Sequence, residues 1–69
     1  MEMIPVSSSN IAAVGYDEDN QTLLVEFNNG TNYQYFDVPE RIFIELRDAG
    51  SVGAYFASNV KGIYRFSRA

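Results

Sequence analysis

The tripeptide Asn28-Asn29-Gly30 constrains the fold of this chain more than any other feature, because it separates two segments with the character of β-strands. Leu23, Val25 and Phe27 recur at every second position of the preceding segment, and residues 31–36 are dense in aromatic side chains. Asparagine and glycine tolerate the positive φ angles that tight hairpin turns require. The sequence therefore predicts a β-hairpin that turns at this tripeptide.

Two registers of this hairpin place different side chains on the same face of the sheet. A two-residue turn puts Glu26 opposite Tyr33, whereas a three-residue loop with the glycine in a bulge puts Val25 opposite Tyr33 and Leu23 opposite Tyr35. The bulged register gathers both tyrosines on one face with the apolar residues Leu23, Val25 and Phe27. We favour the bulged register, with the two-residue turn as the alternative.

One further strand is predicted before the hairpin. Residues 11–16 are small and apolar, and residues 17–20 are acidic or asparagine, which favour turns and interrupt strand pairing. With the hairpin, this segment predicts a three-stranded antiparallel meander.

A first helix is predicted directly after the meander. Apolar residues follow Pro39 at helical spacing, and proline fits a first helical turn because no amide donor is needed there. Asp37 and Glu40 have the spacing of a capping box, with Val38 as the alternative cap because it precedes a proline. Gly50 is expected to end this helix.

A second helix is predicted over residues 52–60. Ser51 is suited to cap its N-terminus, and Gly62 to end it. Gly53 weakens it by roughly 1 kcal/mol relative to alanine. Residues 63–66 are expected to form a short extra strand or an ordered tail. The predicted fold class is α+β, a three-stranded antiparallel β-meander followed by two short helices packed on one face.

The residue types that are missing exclude most catalytic chemistry. The 69-residue chain, enough for one small domain, contains neither histidine nor cysteine, so the commonest general base and the commonest thiolate and imidazole metal ligands are absent. Residues 17–20 resemble a calcium loop but lack its twelve-residue spacing. We therefore expect no enzyme, no metal site and no cofactor. The N-terminal segment does not resemble a signal peptide and no apolar run could span a membrane, so we expect a cytoplasmic protein.

The charge of the chain is divided unevenly along its length. Residues 1–40 carry seven acidic and no basic side chains, whereas residues 41–69 carry five basic and two acidic ones, for a net charge of −4. Basic residues interleaved with aromatic rings are typical of single-stranded nucleic-acid binding. The candidate ligand-binding residues are therefore Tyr55, Lys61, Tyr64, Arg65 and Arg68, with Tyr33 and Tyr35 as a second candidate pair. The alternatives are that the basic end pairs with the acidic half and that Tyr33 and Tyr35 belong to the core.

The ordered set of motifs in this chain resembles the KTSC domain, a module named for its place at the C-terminus of some lysyl-tRNA synthetases. The resemblance covers about residues 6–66, has Tyr33-x-Tyr35 as its hallmark, and includes Ser7-Ser8-Ser9-Asn10-Ile11, Val14-Gly15-Tyr16, Leu23-x-Val25-x-Phe27, Gly30, Val38-Pro39 and Ser51-x-Gly53-x-Tyr55-Phe56. It implies that residues 1–69 are a single domain of this type. The synthetase context implies RNA as a ligand, although the acidic balance of this chain would repel phosphate except near its C-terminal end.

These observations favour a small non-catalytic binding module, with RNA or another nucleic acid as the leading ligand. One alternative is a protein-interaction or homo-oligomeric module in which residues 11–16 or 31–36 form a free strand edge. Another is a small-nucleotide-binding sponge that encloses its ligand between copies of the chain. None of these hypotheses involves a membrane.

Overall fold

The computed structural model describes residues 2–69, and its centre is an antiparallel sheet of five strands that follow one another in chain order. The strands are β1 (Met3–Pro5), β2 (Ile11–Asp17), β3 (Thr22–Phe27), β4 (Asn32–Tyr35) and β5 (Phe66–Arg68). Two helices, α1 (Glu40–Asp48) and α2 (Val52–Asn59), lie in the chain between β4 and β5. The α+β class is confirmed.

The central hairpin adopts the bulged register. The amide of Gly30 donates to the carbonyl of Phe27 and the amide of Phe27 donates to the carbonyl of Thr31, each at 2.9 Å. Gly30 has a φ angle of 88°, in the region that favours glycine. Val25 consequently lies opposite Tyr33, as predicted.

The prediction of a three-stranded meander is incomplete, because β1 and β5 add a strand at each edge. Met3 pairs with Gly15 on one side, and Phe66 pairs with Tyr35 on the other. Strands β2 and β4 are therefore internal, and the expectation that residues 11–16 or 31–36 offer a free edge is wrong. Each added strand has three residues, which is too short for the two-residue alternation to be distinguished from chance.

The first helix begins without the predicted capping box. Pro39 is the N-cap residue and makes no side-chain capping hydrogen bond. Asp37 lies two residues before this N-cap with a φ angle of 57°, and its carboxylate accepts a hydrogen bond from Arg65 instead. The C-cap is Ala49, one residue before the predicted Gly50.

The second helix begins as predicted. The hydroxyl of Ser51 accepts a hydrogen bond from the amide of Ala54 at 3.3 Å. The helix ends at Asn59, and Gly62 follows in a turn with a φ angle of 79°. No helix among residues 2–69 is long and apolar enough to cross a membrane.

The core lies between one face of the sheet and the two helices. Its largest fully buried side chains are Ile11, Val14, Leu23, Val25, Val38, Leu46 and Val60. Burial of each such side chain stabilises the fold by about 1.5–3 kcal/mol. Tyr16 joins the sheet to α1, because its ring stacks on Phe43 at 5.4 Å and its hydroxyl donates to the carbonyl of Val38 at 2.5 Å.

Candidate functional site

The predicted basic site is divided between two faces of the sheet. Arg65 lies 2.9 Å from the carboxylate of Asp37, and its guanidinium lies 5.5 Å from the centroid of the Phe36 ring. It lines a shallow cavity that also contains Asp17, on the sheet face opposite the helices. Arg65 is thus paired with Asp37 in the acidic half of the chain, as the alternative interpretation of the basic end predicted.

Two of the predicted tyrosines serve the packing of the helices. The hydroxyl of Tyr55 donates to a carboxylate oxygen of Glu45 at 2.6 Å and so joins α2 to α1. Desolvation of the ring, together with this hydrogen bond and the negative charge of Glu45, raises the pKa of Tyr55 to about 12. Tyr64 is partly buried against the core. Neither ring lines the aromatic cleft described next.

Five aromatic rings form a cleft between α2 and the edge of the sheet. The cleft has a volume of about 320 Å³, and we call it the aromatic cleft; its rings are Phe27, Tyr33, Tyr35, Phe56 and Phe66. The ring of Tyr33 meets that of Phe66 edge to face at 5.8 Å, and Tyr35 meets Phe56 in the same way at 5.5 Å. Such pairs contribute about 0.5–1.5 kcal/mol beyond their buried area.

The rings of the aromatic cleft differ strongly in their exposure. Tyr35 is 5% exposed and Phe56 is 4% exposed, so both form the floor of the cleft. Phe66 is 60% exposed, which is unusual for a side chain of this size, and Tyr33 is half-buried. The interpretation of Tyr33 and Tyr35 as packing residues therefore holds fully for Tyr35 and in part for Tyr33.

Two predicted cations remain on the side of the aromatic cleft. Lys61, which follows α2, contributes to the lining of the cleft. Arg68 lies directly opposite Tyr33 in the pairing of β4 with β5, so its side chain emerges from the same sheet face. The cleft therefore combines exposed aromatic surface with positive charge.

Gly53 allows α2 to approach the loop that precedes β2. A Cβ atom at this position would lie 2.9 Å from the side-chain oxygen of Asn10 and 3.4 Å from the hydroxyl of Ser8. Both Gly53 and Asn10 line the aromatic cleft. Gly53 weakens α2 because of its low helix propensity. Its lack of a side chain, however, allows the close packing that forms one wall of the cleft.

A second cavity adjoins the aromatic cleft at the hairpin turn. It has a volume of about 400 Å³, and we call it the asparagine groove; its lining residues are Ser9, Asn10, Phe27, Asn28, Asn29, Thr31 and Tyr33. Asn10, Phe27 and Tyr33 belong to both cavities, so the two are continuous. No carboxylate lines either of them.

The acidic residues concentrate at the other end of the sheet. Asp17 begins the acidic turn between β2 and β3, where the amide of Asn20 donates to it at 2.8 Å and lowers the pKa of its carboxyl. A hydrogen bond shared with Glu40, together with the negative charge of that residue, raises the pKa of Glu18. Within residues 2–69, no three acidic, histidine or cysteine side chains cluster as a metal site would require.

The sequence interpretation missed most of the residues that form these two cavities. Phe27, Phe56, Asn10 and Phe66 were not among the candidate ligand-binding residues, and Phe66 was placed in a short extra strand or an ordered tail. The bulged register already predicted that Phe27 shares a face with Tyr33. The contribution of Phe66 could not be predicted, because it depends on the pairing of β5 with β4 across both helices.

Comparison with known proteins identifies a family that this chain matches over most of its length. A family model described as the KTSC domain matches residues 7–64. The crystal structure of a KTSC domain protein from Yersinia pestis superposes with a TM-score of 0.95 at 38% sequence identity, covering 99% of this chain and 96% of that one.

Relatives of two very different lengths are similar in sequence to this chain. A protein of Tsukamurella paurometabola is 41% identical over 63 residues, which are 91% of this chain and 94% of that protein. A lysine–tRNA ligase of a Nostoc species is 36% identical over 66 residues, or 96% of this chain, but the match spans only 12% of the ligase. The same small unit therefore resembles both a protein of similar length and a short segment of a large enzyme.

Proposed function

The chain belongs to the KTSC domain family, and from this premise we propose that it is a non-catalytic module that binds single-stranded RNA in the aromatic cleft. The observation that carries this proposal is the exposed ring of Phe66 beside Tyr33, in a cleft with a lysine and without a carboxylate. An exposed aromatic ring next to a positive charge suits a ligand that is both flat and anionic.

The arrangement supports stacking of an unpaired base on Phe66. Stacking of one base on an aromatic side chain contributes about 1–3 kcal/mol and is tolerant of base identity. Lys61 lies within reach of the backbone phosphate of such a nucleotide, and Arg68 adds positive charge on the same face. These two cations replace the larger set that the sequence suggested.

The distribution of charge is compatible with an anionic ligand despite the net charge of −4. The acidic turn after β2 and the asparagine groove lie at opposite ends of β3, whose six residues span about 17–20 Å. That distance exceeds the screening length of about 8 Å at physiological salt. The acids of that turn therefore repel RNA only weakly at the cleft, and the nearer carboxylate is that of Glu26, which neighbours Phe27 on β3 and points to the opposite face of the sheet.

One group of relatives supports RNA as the proposed ligand. A segment similar to nearly the whole of this chain forms part of a lysine–tRNA ligase, an enzyme named for its action on tRNA. A module that contributes RNA contacts in such an enzyme would retain that capacity in other contexts.

Titration of a labelled 12-nucleotide RNA by fluorescence anisotropy, at 20 mM and 150 mM salt, tests the proposal. Phe66→Ala removes the exposed ring and is expected to weaken binding by roughly 5- to 150-fold, the equivalent of one stacked base. Lys61→Gln is expected to weaken binding at low salt and to reduce the salt slope by about one. Both positions are surface sites, so the fold should be retained.

Arg47→Gln is the matched control, because Arg47 lies on α1 in an ion pair with Asp48 and lines neither cavity. It should bind RNA like the unmodified protein. The proposal is wrong if the unmodified protein does not bind at low salt, or if its affinity does not depend on salt. An equal loss in Arg47→Gln and Lys61→Gln would exclude the cleft as the site.

A homo-oligomeric module is the second candidate function. The observation that favours it is the exposed edge strand β5 together with Phe66 and Ile63, which are 60% and 61% exposed. Light scattering at increasing protein concentration tests it, and a second measurement with added nucleotide tests a sponge that closes between two copies. A constant monomer mass in both series would contradict this candidate.

A further inference from the structure

The turn between β3 and β4 holds the one asparagine of this chain that precedes a glycine. The asparagines of the chain are Asn10, Asn20, Asn28, Asn29, Asn32 and Asn59. Asparagine is chemically labile, because the main-chain nitrogen of the next residue can attack its side-chain amide. A side chain on that next residue hinders the attack. Gly30 has none, so the amide of Asn29 is the least protected by its neighbour.

The reaction that follows from this attack needs only water as a co-reactant. The nitrogen of Gly30 forms a bond to the side-chain carbon Cγ of Asn29, and the bond from Cγ to Nδ2 breaks. The proton of the attacking nitrogen leaves with Nδ2 as ammonia, and a cyclic imide remains. Water then opens this ring at Cγ to give aspartate, or at the main-chain carbonyl carbon to give isoaspartate. No atom is oxidised or reduced in either step.

The turn activates the carbonyl group that is attacked. The backbone amide of Thr31 donates to Oδ1 of Asn29 at 3.0 Å. Negative charge develops on this oxygen as Cγ becomes tetrahedral, and a donor already directed at the oxygen stabilises that charge. The same hydrogen bond holds the side chain against the main chain that follows it, which reduces the entropy lost when the ring closes.

The space around the turn admits both water and the ring. Asn28, Asn29 and Gly30 are exposed. A Cβ atom built on Gly30 would have no heavy atom within 4 Å apart from those of the adjacent residues in the chain. The tetrahedral intermediate therefore meets no obstruction from the rest of the fold.

One contact of the turn opposes the reaction. The amide of Gly30 donates to the carbonyl of Phe27 at 2.9 Å, and this proton must be released before the nitrogen can attack. The bond lies at the exposed tip of a hairpin, where local opening has a low cost. We expect it to slow the reaction by roughly 2- to 13-fold, the equivalent of the usual net contribution of one hydrogen bond.

Other asparagines lack these features. The side-chain nitrogen of Asn28, which would have to leave, donates to the carbonyl of Ser8 at 3.3 Å, and the residue that follows carries a side chain. The side-chain nitrogen of Asn59 likewise donates to the carbonyl of Tyr55 at 3.2 Å. The buried, β-branched Val60 follows Asn59. Asn29 is thus distinguished by its surroundings as well as by its neighbour.

We propose that Asn29 is a self-modification site, whose conversion to aspartate or isoaspartate lowers the affinity of the adjoining aromatic cleft for RNA. Asn29 lines the asparagine groove, which shares Phe27 and Tyr33 with the cleft. No carboxylate lines either cavity, and the conversion would introduce one. The chemistry depends on the turn alone, whereas its effect on RNA rests on the proposed function.

Mass spectrometry of the folded protein, incubated at pH 8.5 and 37 °C, tests the modification. Fragmentation of the intact chain should locate the conversion at Asn29, and its rate should rise with hydroxide concentration because the attacking nitrogen must lose its proton. The same protein unfolded in urea gives the rate without the turn. The folded rate should be lower than this reference by no more than roughly 13-fold. A folded protein that remains unmodified after the unfolded one has converted would overturn the proposal.

Two variants with the same change at adjacent positions localise the reaction. Asn29→Gln keeps an amide but lengthens the side chain, so ring closure on Gly30 is disfavoured and the conversion should be lost. Asn28→Gln should convert like the unmodified protein. Equal conversion of the two variants would place the reaction elsewhere in the chain and would overturn the assignment to Asn29.

Anisotropy titrations with the labelled 12-nucleotide RNA test the effect on binding. Asn29→Asp reproduces the carboxylate and should weaken binding at 20 mM salt by roughly 2- to 4-fold, the effect of a unit charge about 5–10 Å from a phosphate in water. The effect should be smaller at 150 mM salt. Arg47→Gln changes the net charge by the same amount on α1, lines neither cavity, and should bind like the unmodified protein.

The outcomes separate the inference from the function on which its effect rests. Equal affinity of Asn29→Asp and the unmodified protein at 20 mM salt overturns the effect on the cleft and leaves the RNA-binding module intact. Equal losses in Asn29→Asp and Arg47→Gln also overturn it, because net charge rather than the position of the carboxylate would then determine the affinity. Absence of binding by the unmodified protein overturns the proposed function, while the mass spectra still decide whether Asn29 converts.

Discussion

Among the individual residues, Phe66 has the environment that most calls for a ligand. Its ring contacts Tyr33 and Tyr35 and yet remains 60% exposed on a three-residue edge strand. An isolated exposed apolar residue needs no explanation, but this one completes a ring cluster around a cleft. The position of Phe66 therefore supports the proposed role of this ring in binding.

Tyr55 is a second residue that provides a prediction, which concerns how the stability of the fold depends on pH. Its pKa is raised to about 12 in the folded protein, so the folded state holds the hydroxyl proton more tightly than the unfolded state does. The stability due to Tyr55 is fully present below the ordinary tyrosine pKa near 10 and is lost as the pH rises toward 12. We expect urea unfolding midpoints to fall between pH 9 and pH 11.5, and to fall less in Tyr55→Phe.

The comparison with Tyr55→Phe is essential, because burial also raises the pKa values of Tyr16 and Tyr35. At pH 8 the variant should be less stable by about 1 kcal/mol, the usual net value of one hydrogen bond. A variant whose midpoint declines with pH as steeply as that of the unmodified protein would show that the contact between Tyr55 and Glu45 does not form in solution.

Gly53 links a single residue to the shape of the site. In Gly53→Ala, the added methyl group would meet the side-chain oxygen of Asn10 at 2.9 Å, so Asn10 must move. The gain of roughly 1 kcal/mol in helix propensity partly offsets this cost, and we expect only a small change in melting temperature. The NMR signal of the Asn10 side-chain amide should shift clearly in this variant. An unchanged signal would contradict the observed packing of α2.

At the scale of secondary-structure elements, the hairpin is the part of the fold that local sequence determines best. The Asn28-Asn29-Gly30 loop and the alternation of β3 were sufficient to predict the register, because a slip by one residue would expose the apolar face. The start of α2 was predicted for a similarly local reason, since Ser51 caps it. Both of these signals act within a few residues of the feature that they predict.

The elements that sequence did not predict depend on distant partners. Asp37 has the spacing of a capping residue, but its carboxylate is held by Arg65, which is 28 positions away in the chain. Strand β1 was not predicted, and the short strand or tail predicted at residues 63–66 had no assigned partner, because both strands pair with edges that β2 and β4 offer. The aromatic cleft also depends on distant partners, so it was not predicted, although Tyr33 and Tyr35, which line it, were identified as candidates.

Gly30 provides a stability prediction at this scale. Its φ angle of 88° is unfavourable for any residue with a Cβ atom, so Gly30→Ala should destabilise the protein by about 1–2 kcal/mol. Gly50→Ala is the control, since Gly50 has no positive φ angle and its added methyl group would meet open space. Urea denaturation measures both, and equal stability of the two variants would contradict the bulged turn.

For the molecule as a whole, the separation of charge matters more than the net charge. The acidic turn between β2 and β3 lies about 17–20 Å from the asparagine groove, the length of β3. Two unit charges at 20 Å interact by only about 0.2 kcal/mol in water. An acidic protein can therefore retain a surface on which an anion is bound favourably.

Neutralising the acidic turn tests this separation. The double variant Glu18→Gln, Asp19→Asn should bind RNA slightly more tightly at 10 mM salt, where the screening length is about 30 Å, and equally at 150 mM, where it is about 8 Å. A gain in affinity that persists at 150 mM salt would place the RNA close to the acidic turn.

The sequential order of the strands has a consequence for how the protein forms during synthesis. Each of β2, β3 and β4 can pair with the strand made just before it, so the central sheet can assemble while the chain leaves the ribosome. Strand β5 is the exception, because it reaches β4 only after both helices have been made. Since Phe66 belongs to that last strand, the nascent protein forms its central strands before it completes the aromatic cleft. If the cleft binds RNA as proposed, competence to bind would mark a chain whose translation has been completed through β5.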